Sequence, residues 1–260
     1  MKTVIGSVPY LNEKPLTRWF NQTPEGMSCN ISVVYAPPSQ LAIMLKSGDI
    51  SAALVSSFEH LKSPSYSVIP GVSISGHGEI LSVRAFGRLP WKQTESVALD
   101  TSSLTSSALL KILLDDIYDS HPDYINHAPD LQQMLTKADA ALLIGDMGML
   151  ADDTGLRTID LGEGWRKLTN LPFTYAVWLS ADPSLNEELA SVLTIAKEWG
   201  KTQVAAIAKE ESERLQCPES LCLRYLTEIM DYDLDEQHME ALSLFRAKSK
   251  ALGLLSDVAS

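Results

Sequence analysis

Leu104, Ala108, Leu109, Ile112 and Leu113 recur at helical spacing, so the stretch after Leu104 is predicted to wind into an amphipathic helix with this stripe against a core. Short apolar runs on either side read as strands: Thr3–Ser7, Ile31–Tyr35, Ser51–Val55, Val68–Ser73, Ile80–Phe86, Ser96–Leu99 and Ala140–Ile144. Between them, helices are predicted over Leu16–Phe20, Gln40–Ser47 and Leu131–Lys137, the second opened by Pro37, Pro38 and Ser39 and stopped by Gly48 and Asp49. The stretch with Pro122 and Pro129 reads as a loop, and Gly76 and Gly78 as a turn. Beyond Pro183 the pattern is helical throughout: Leu185–Glu198, Gln203–Gln216, Ser220–Ile229 and Glu236–Leu252, the last with Leu242, Phe245 and Leu252 as its apolar stripe. Strands alternating with helices favour open α/β sheets, whose ligands lie outside the carboxyl ends of the strands. Two successive sets of this kind predict two lobes facing a cleft, with the helical tail bracing the first.

With 260 residues, 45% of them hydrophobic, the chain is long enough for a sizeable core. A net charge of −12 opposes capture of nucleic acid or an anionic membrane face, so neither is expected as a partner. Met1–Ile5 runs directly into GSVPYLN with no basic-then-apolar leader, and no stretch has the length of a membrane span, which makes the cytoplasm the expected location. The three cysteines, Cys29, Cys217 and Cys222, are odd in number and lack the companions of a zinc site, so reduced thiols are expected.

Thr101, Ser102, Ser103, Thr105, Ser106 and Ser107 crowd the start of the predicted helix. Unpaired N–H groups, the positive end of the helix dipole and extra hydroxyls suit a carboxylate or phosphate there, although one hydroxyl, Ser102 or Ser103, is needed for ordinary capping. The five histidines (His60, His77, His121, His127 and His238) show no metal-like spacing. A G-x-S-x-G elbow, a phosphate loop and a G-x-G-x-x-G turn are all missing, so serine hydrolysis and nucleotide chemistry are unsupported. Asn12, Ser56, Ser82, Thr105 and Asp146 all fall at predicted strand ends or helix starts, positions that a two-lobed sheet points at one crevice. Asp146 after Ile144 and Gly145 reads equally as a catalytic acid or as a cap of the next turn.

SVPYLNEKPL, PSQLAIMLKSGDISAALVSSFE, IPGVSISGHGEILSV, ALDTSSLTSSALLKILL, DAALLIGDMGM and DLGEGWRKLTNLPFTYAVW, in this order, resemble the chorismate dehydratases of the futalosine route to menaquinone. The resemblance implies a periplasmic-binding-protein-like fold of the second type: an α/β architecture of two lobes with a central cleft and a helical C-terminal segment. Lobe one is then expected over residues 1–86 with 179–260, lobe two over 87–178, with crossings near Phe86 and Val177 and the helical part 179–260 packed on lobe one. The implied substrate is chorismate, a small-molecule dicarboxylate, and the implied product 3-[(1-carboxyvinyl)oxy]benzoate; the chemistry calls for no metal or organic cofactor.

On this reading Thr105 and Ser106 receive one carboxylate, Ser56 and Ser82 donate from the opposite lobe, and Tyr10 and Gly145 line the site. Asn12 hydrogen-bonds the departing hydroxyl or the second carboxylate. The base is either Asp146 or the enolpyruvyl carboxylate of the substrate itself. Glu13, Lys14 and Arg84 depart from the family pattern. Two alternatives are a dihydroxynaphthoate synthase-like enzyme of the same pathway and a non-catalytic solute-binding protein for a small anion.

Overall fold

The computed structural model describes residues 2–63 and 65–255. The strands are β1 (Thr3–Ser7), β2 (Ile31–Tyr35), β3 (Ala52–Ser56), β4 (Ser67–Gly76), β5 (Arg84–Gly87), β6 (Ser96–Asp100), β7 (Asp123–His127), β8 (Ala140–Leu143), β9 (Arg157–Asp160) and β10 (Phe173–Ser180). They form two sheets, ordered β2-β1-β3-β10-β4 and β7-β6-β8-β5-β9. Within the first, β1 runs parallel to β2 and β3, and β10 runs antiparallel to β3. Within the second, β6 runs parallel to β7 and β8, while β5 is antiparallel to β8 and β9. Both sheets therefore follow one scheme, three parallel strands and then an antiparallel one. The central strands are covered on both faces, which is why β3 and β8 are buried along their whole length and read as unbroken apolar runs.

The chain divides into two units, residues 1–75 with 174–236 and residues 76–173 with 237–260. The divisions fall at Ser75/Gly76 and Phe173/Thr174, earlier than the crossings expected near Phe86 and Val177. The tail is also split, contrary to the expectation that 179–260 stays with the first lobe. Its final helix, Glu236–Ala251, belongs to the second unit, where Phe245 is fully buried and meets Trp165 and Phe173 edge-on at centroid distances of 6.1 and 5.0 Å. Periodicity announced the apolar stripe but not its partner, because an aromatic cluster is a tertiary fact.

The other tail helices, Asn186–Thr202, Val204–Leu215 and Glu219–Arg224, belong to the first unit, and the last continues into a π-helical turn over Tyr225–Ile229. They fix the loop after β1. A Cβ on Gly200 would come within 1.8 Å of the Pro15 carbonyl oxygen, so glycine is what lets this helix touch that backbone. Arg18 adds ion pairs to Glu210 and Glu211 at 2.5 and 3.0 Å.

In the second unit, Ala108, Leu109, Ile112 and Leu113 are buried as their spacing requires, but Leu104 is 42% exposed. Thr105 and Ser106 occupy the inward face of the first turn instead, and helix Leu104–Tyr118 begins on Ser103. No helix among the described residues is long and apolar enough to cross a membrane.

Candidate functional site

In the first unit, β1 and β3 are parallel neighbours, so the segments that leave their carboxyl ends emerge side by side. The segment after β1 carries Tyr10, half-buried, and Asn12, within a 3-10 turn over Leu11–Glu13. Ser56 closes β3 and precedes helix Ser57–Lys62 without capping it through its side chain. The same unit thus brings together Tyr10, Asn12 and Ser56, three of the residues singled out from the sequence.

Asn12 Nδ2 donates to the Tyr225 hydroxyl at 3.3 Å, and Tyr225 is 1% exposed in the π-helical turn. Asn12 Oδ1 is buried and has no hydrogen-bond partner among the described residues. Leaving an acceptor in that condition costs about 1–3 kcal/mol, so the arrangement is retained for something other than stability.

Glu13, next to Asn12 in the chain, is fully buried. Its Oε2 accepts from Thr17 Oγ1 at 2.6 Å and Ser7 Oγ at 3.4 Å, and its Oε1 pairs with Lys14 Nζ at 2.9 Å. Burial pushes the Glu13 carboxyl up, while Lys14, Thr17 and Ser7 pull it back down. The charge reaches further, since Tyr35, bonded to Thr17 Oγ1 at 2.9 Å, is pushed up to about 12 by burial and then by Glu13. Sequence reasoning noticed Glu13 only as a departure from pattern and missed Tyr225 altogether; an acidic residue inside an apolar loop was the one available signal.

In the second unit β6 and β8 are again parallel neighbours, and again the candidates follow their carboxyl ends: Thr105 and Ser106 after β6, Gly145 and Asp146 after β8. Thr105, Ser106 and Gly145 are buried and Asp146 is half-buried in helix Gly145–Leu150. Ser103 caps the longer helix: its Oγ accepts from the Ser106 N–H at 3.1 Å and donates to Ser106 Oγ at 2.9 Å. Capping therefore takes up part of the hydroxyl run.

Asp100 joins the two strand ends. Its carboxylate accepts from the Ser102 N–H at 2.8 Å and from the Ile144 backbone, and burial holds its carboxyl above the ordinary aspartate range against those bonds. The sequence placed Asp100 at the head of the hydroxyl run without assigning it this role.

Ser82 lies in this unit, not with Ser56 as the sequence reading set it. The reason is the loop that carries it. Asp160 accepts from the Ile80 N–H at 3.0 Å, the Leu81 N–H at 2.8 Å and the Glu163 N–H at 3.0 Å, and so ties residues 80–81 to the start of helix Leu161–Thr169. Leu81 is held at φ 60°, a conformation costly for leucine, and the Ser82 N–H turns back to the Ile80 carbonyl at 2.7 Å. Ser82 then rests against Gly148, where a Cβ would approach the Ser82 carbonyl oxygen to 2.4 Å. Arg84 is spent on structure, donating to the carbonyls of Gly148, Met149 and Ala151 and pairing with Asp153 at 3.1 Å. Among the described residues no group of three or more His, Cys, Asp or Glu side chains is placed to hold a metal ion.

The sequence family described as menaquinone biosynthesis matches residues 3–251. A chorismate dehydratase of Thermus thermophilus is 31% identical, over 96% of this chain and 95% of that protein. Among solved structures, a protein of Archaeoglobus fulgidus superposes with a TM-score of 0.72 at 16% identity, covering 97% of this chain and 98% of that one. The alkanesulfonate-binding protein SsuA of Xanthomonas axonopodis pv. citri gives a TM-score of 0.72 at 16% identity, covering 98% and 94%. The fold is accordingly that of the periplasmic binding proteins, as the resemblance implied.

Proposed function

The chain belongs to the menaquinone-biosynthesis family, and from that premise we propose that it is a chorismate dehydratase supplying 3-[(1-carboxyvinyl)oxy]benzoate to the futalosine route. The observation that carries the proposal is the match to a chorismate dehydratase along nearly the whole chain. The unsatisfied acceptor on Asn12 supports it. The chemistry is a β-elimination: a proton leaves the ring carbon that bears the enolpyruvyl ether, its bonding electrons enter the ring, and hydroxide leaves the neighbouring carbon. Aromatisation drives the loss of water, and no oxidant or reductant enters the balance.

Roles follow from the groups each unit offers. Asn12 Oδ1 accepts a hydrogen bond from the ring hydroxyl, while the Tyr225 hydroxyl fixes the amide from behind. Tyr10 and Ser56, on the same side of their sheet, bound and hydrogen-bond the substrate. Thr105, Ser106 and the buried Gly145 N–H receive a carboxylate, and Ser82 adds a donor from its strained loop. Asp146 or the substrate's own enolpyruvyl carboxylate takes the ring proton.

The test is to incubate the purified protein with chorismate and follow aromatic absorbance together with mass spectrometry. The expected product is one water lighter than chorismate. Chorismate recovered unchanged, whether or not it binds, overturns the proposal.

A further inference from the structure

We infer that Cys217 and Cys222 form a reversible dithiol–disulfide site, reactive toward hydroperoxides and toward thiophilic trivalent arsenic. Their sulfur atoms lie 3.4 Å apart, in contact but unbonded. The local chain builds this proximity. Helix Val204–Leu215 ends on Gln216 at φ 53°, the Cys217 N–H turns back to the Ser212 carbonyl at 3.1 Å, and Pro218 opens helix Glu219–Arg224, which returns Cys222 beneath Cys217. A disulfide has a sulfur–sulfur length of about 2.05 Å, so closure asks for a side-chain movement of about 1.4 Å. The loop is short and already folded, and its closure entropy is small.

Exposure divides the labour. Cys217 is half-buried and open to reagents, whereas Cys222 is fully buried and needs only to reach Cys217. Cys217, as thiolate, attacks one oxygen of a hydroperoxide; the O–O bond breaks, the departing alkoxide takes up the proton, and Cys217 becomes a sulfenic acid. The Cys222 sulfur then attacks the Cys217 sulfur, the S–O bond breaks, and hydroxide leaves with the Cys222 proton as water. Two thiols have given two electrons, and one peroxide has become an alcohol and a water. Cys29 takes no part, its thiol being turned to the Gly26 carbonyl at 2.9 Å.

Cys222 stands three residues before Tyr225, one turn away along a helical stretch that continues through Arg224, so the new bond would tether the segment that backs Asn12. The site is independent of the substrate assigned above.

The experiment treats the reduced full-length protein with hydrogen peroxide, then alkylates it and maps the peptides by mass spectrometry. Expected are the loss of two hydrogens per chain, a single Cys217–Cys222 cross-link, Cys29 still alkylated, and return of both thiols with dithiothreitol. In parallel, phenylarsine oxide is expected to bind the untreated protein one to one and to fail with Cys217→Ser, a change at a half-buried position that opens no void in the core. Accumulation of sulfinic acid on Cys217 with Cys222 still alkylated, cross-links only between chains, or equal arsenical binding by both proteins would overturn the inference.

Discussion

In the first unit the candidate segment also carries a buried carboxylate, Glu13, with Asn12 braced by Tyr225 and its amide oxygen left unsatisfied. In the second unit the corresponding positions are hydroxyls that satisfy one another, Ser103 with Ser106, under a carboxylate that binds backbone amides. The strand scheme is the same in both. One unit keeps an acceptor ready for a donor at an energetic cost, whereas the other keeps donors whose geometry is already set by helix capping.

Asn12→Ala tests the first half of this contrast and carries the largest expected effect. It should lower kcat/KM for chorismate about a hundred- to a thousandfold while leaving thermal unfolding nearly unchanged, because it removes an unsatisfied group together with one hydrogen bond. A loss of activity matched by a loss of fold would reduce Asn12 to a structural residue. Asp160→Ala strikes the second unit, where three backbone N–H groups lose their acceptor and Leu81 its restraint. Stability should fall by about 3 kcal/mol in denaturant titration, with partial recovery in Asp160→Asn. Ser103→Ala should cost about 1 kcal/mol as a lost cap, and should raise KM several-fold through release of Ser106; an unaltered KM would detach the hydroxyl run from the substrate.

The smallest effect concerns Asp100. Burial raises its folded-state pKa above the unfolded value, so its contribution to stability is greatest in acid and is lost as pH rises through the raised pKa. Asp100→Asn keeps an acceptor for Ser102 but does not titrate. Its stability relative to the parent should therefore improve as pH rises above the ordinary aspartate value of about 4, as read from unfolding midpoints. A gap independent of pH would show that Asp100 is not strained by its burial.

Legibility in the sequence followed physical strength. Strands β1 and β2 and helix Leu131–Lys137 match their predicted bounds, because their apolar positions recur at one clear period between turn residues. β7 falls within the stretch whose sequence predicts a loop, since an exposed edge strand with the sequence DYINH buries too little to leave a pattern. β10 has the opposite difficulty: FTYAVWLS is mostly apolar and buried at nearly every position, and such a run in an inner strand shows no alternation. Helix Gly145–Leu150 carries two glycines and has little intrinsic tendency to form; a close backbone approach to Ser82 accounts for the second of them. At the candidate site, Asn12, Ser56 and the hydroxyl run were visible because polar residues at strand ends stand out. Glu13, Tyr225 and Asp100 act through burial and distant partners, which no local window contains.

The position of β10 has a consequence for how the molecule comes into being. It lies between β3 and β4, yet it is synthesised only after every strand of the second sheet. Until residue 173 and its successors leave the ribosome, β3 and β4 have no neighbour to join them, and the nascent first half exposes open hydrogen-bonding edges. The second sheet lacks no later strand and is free to pair first, although its unit still waits for helix Glu236–Ala251, the last described helix to be synthesised.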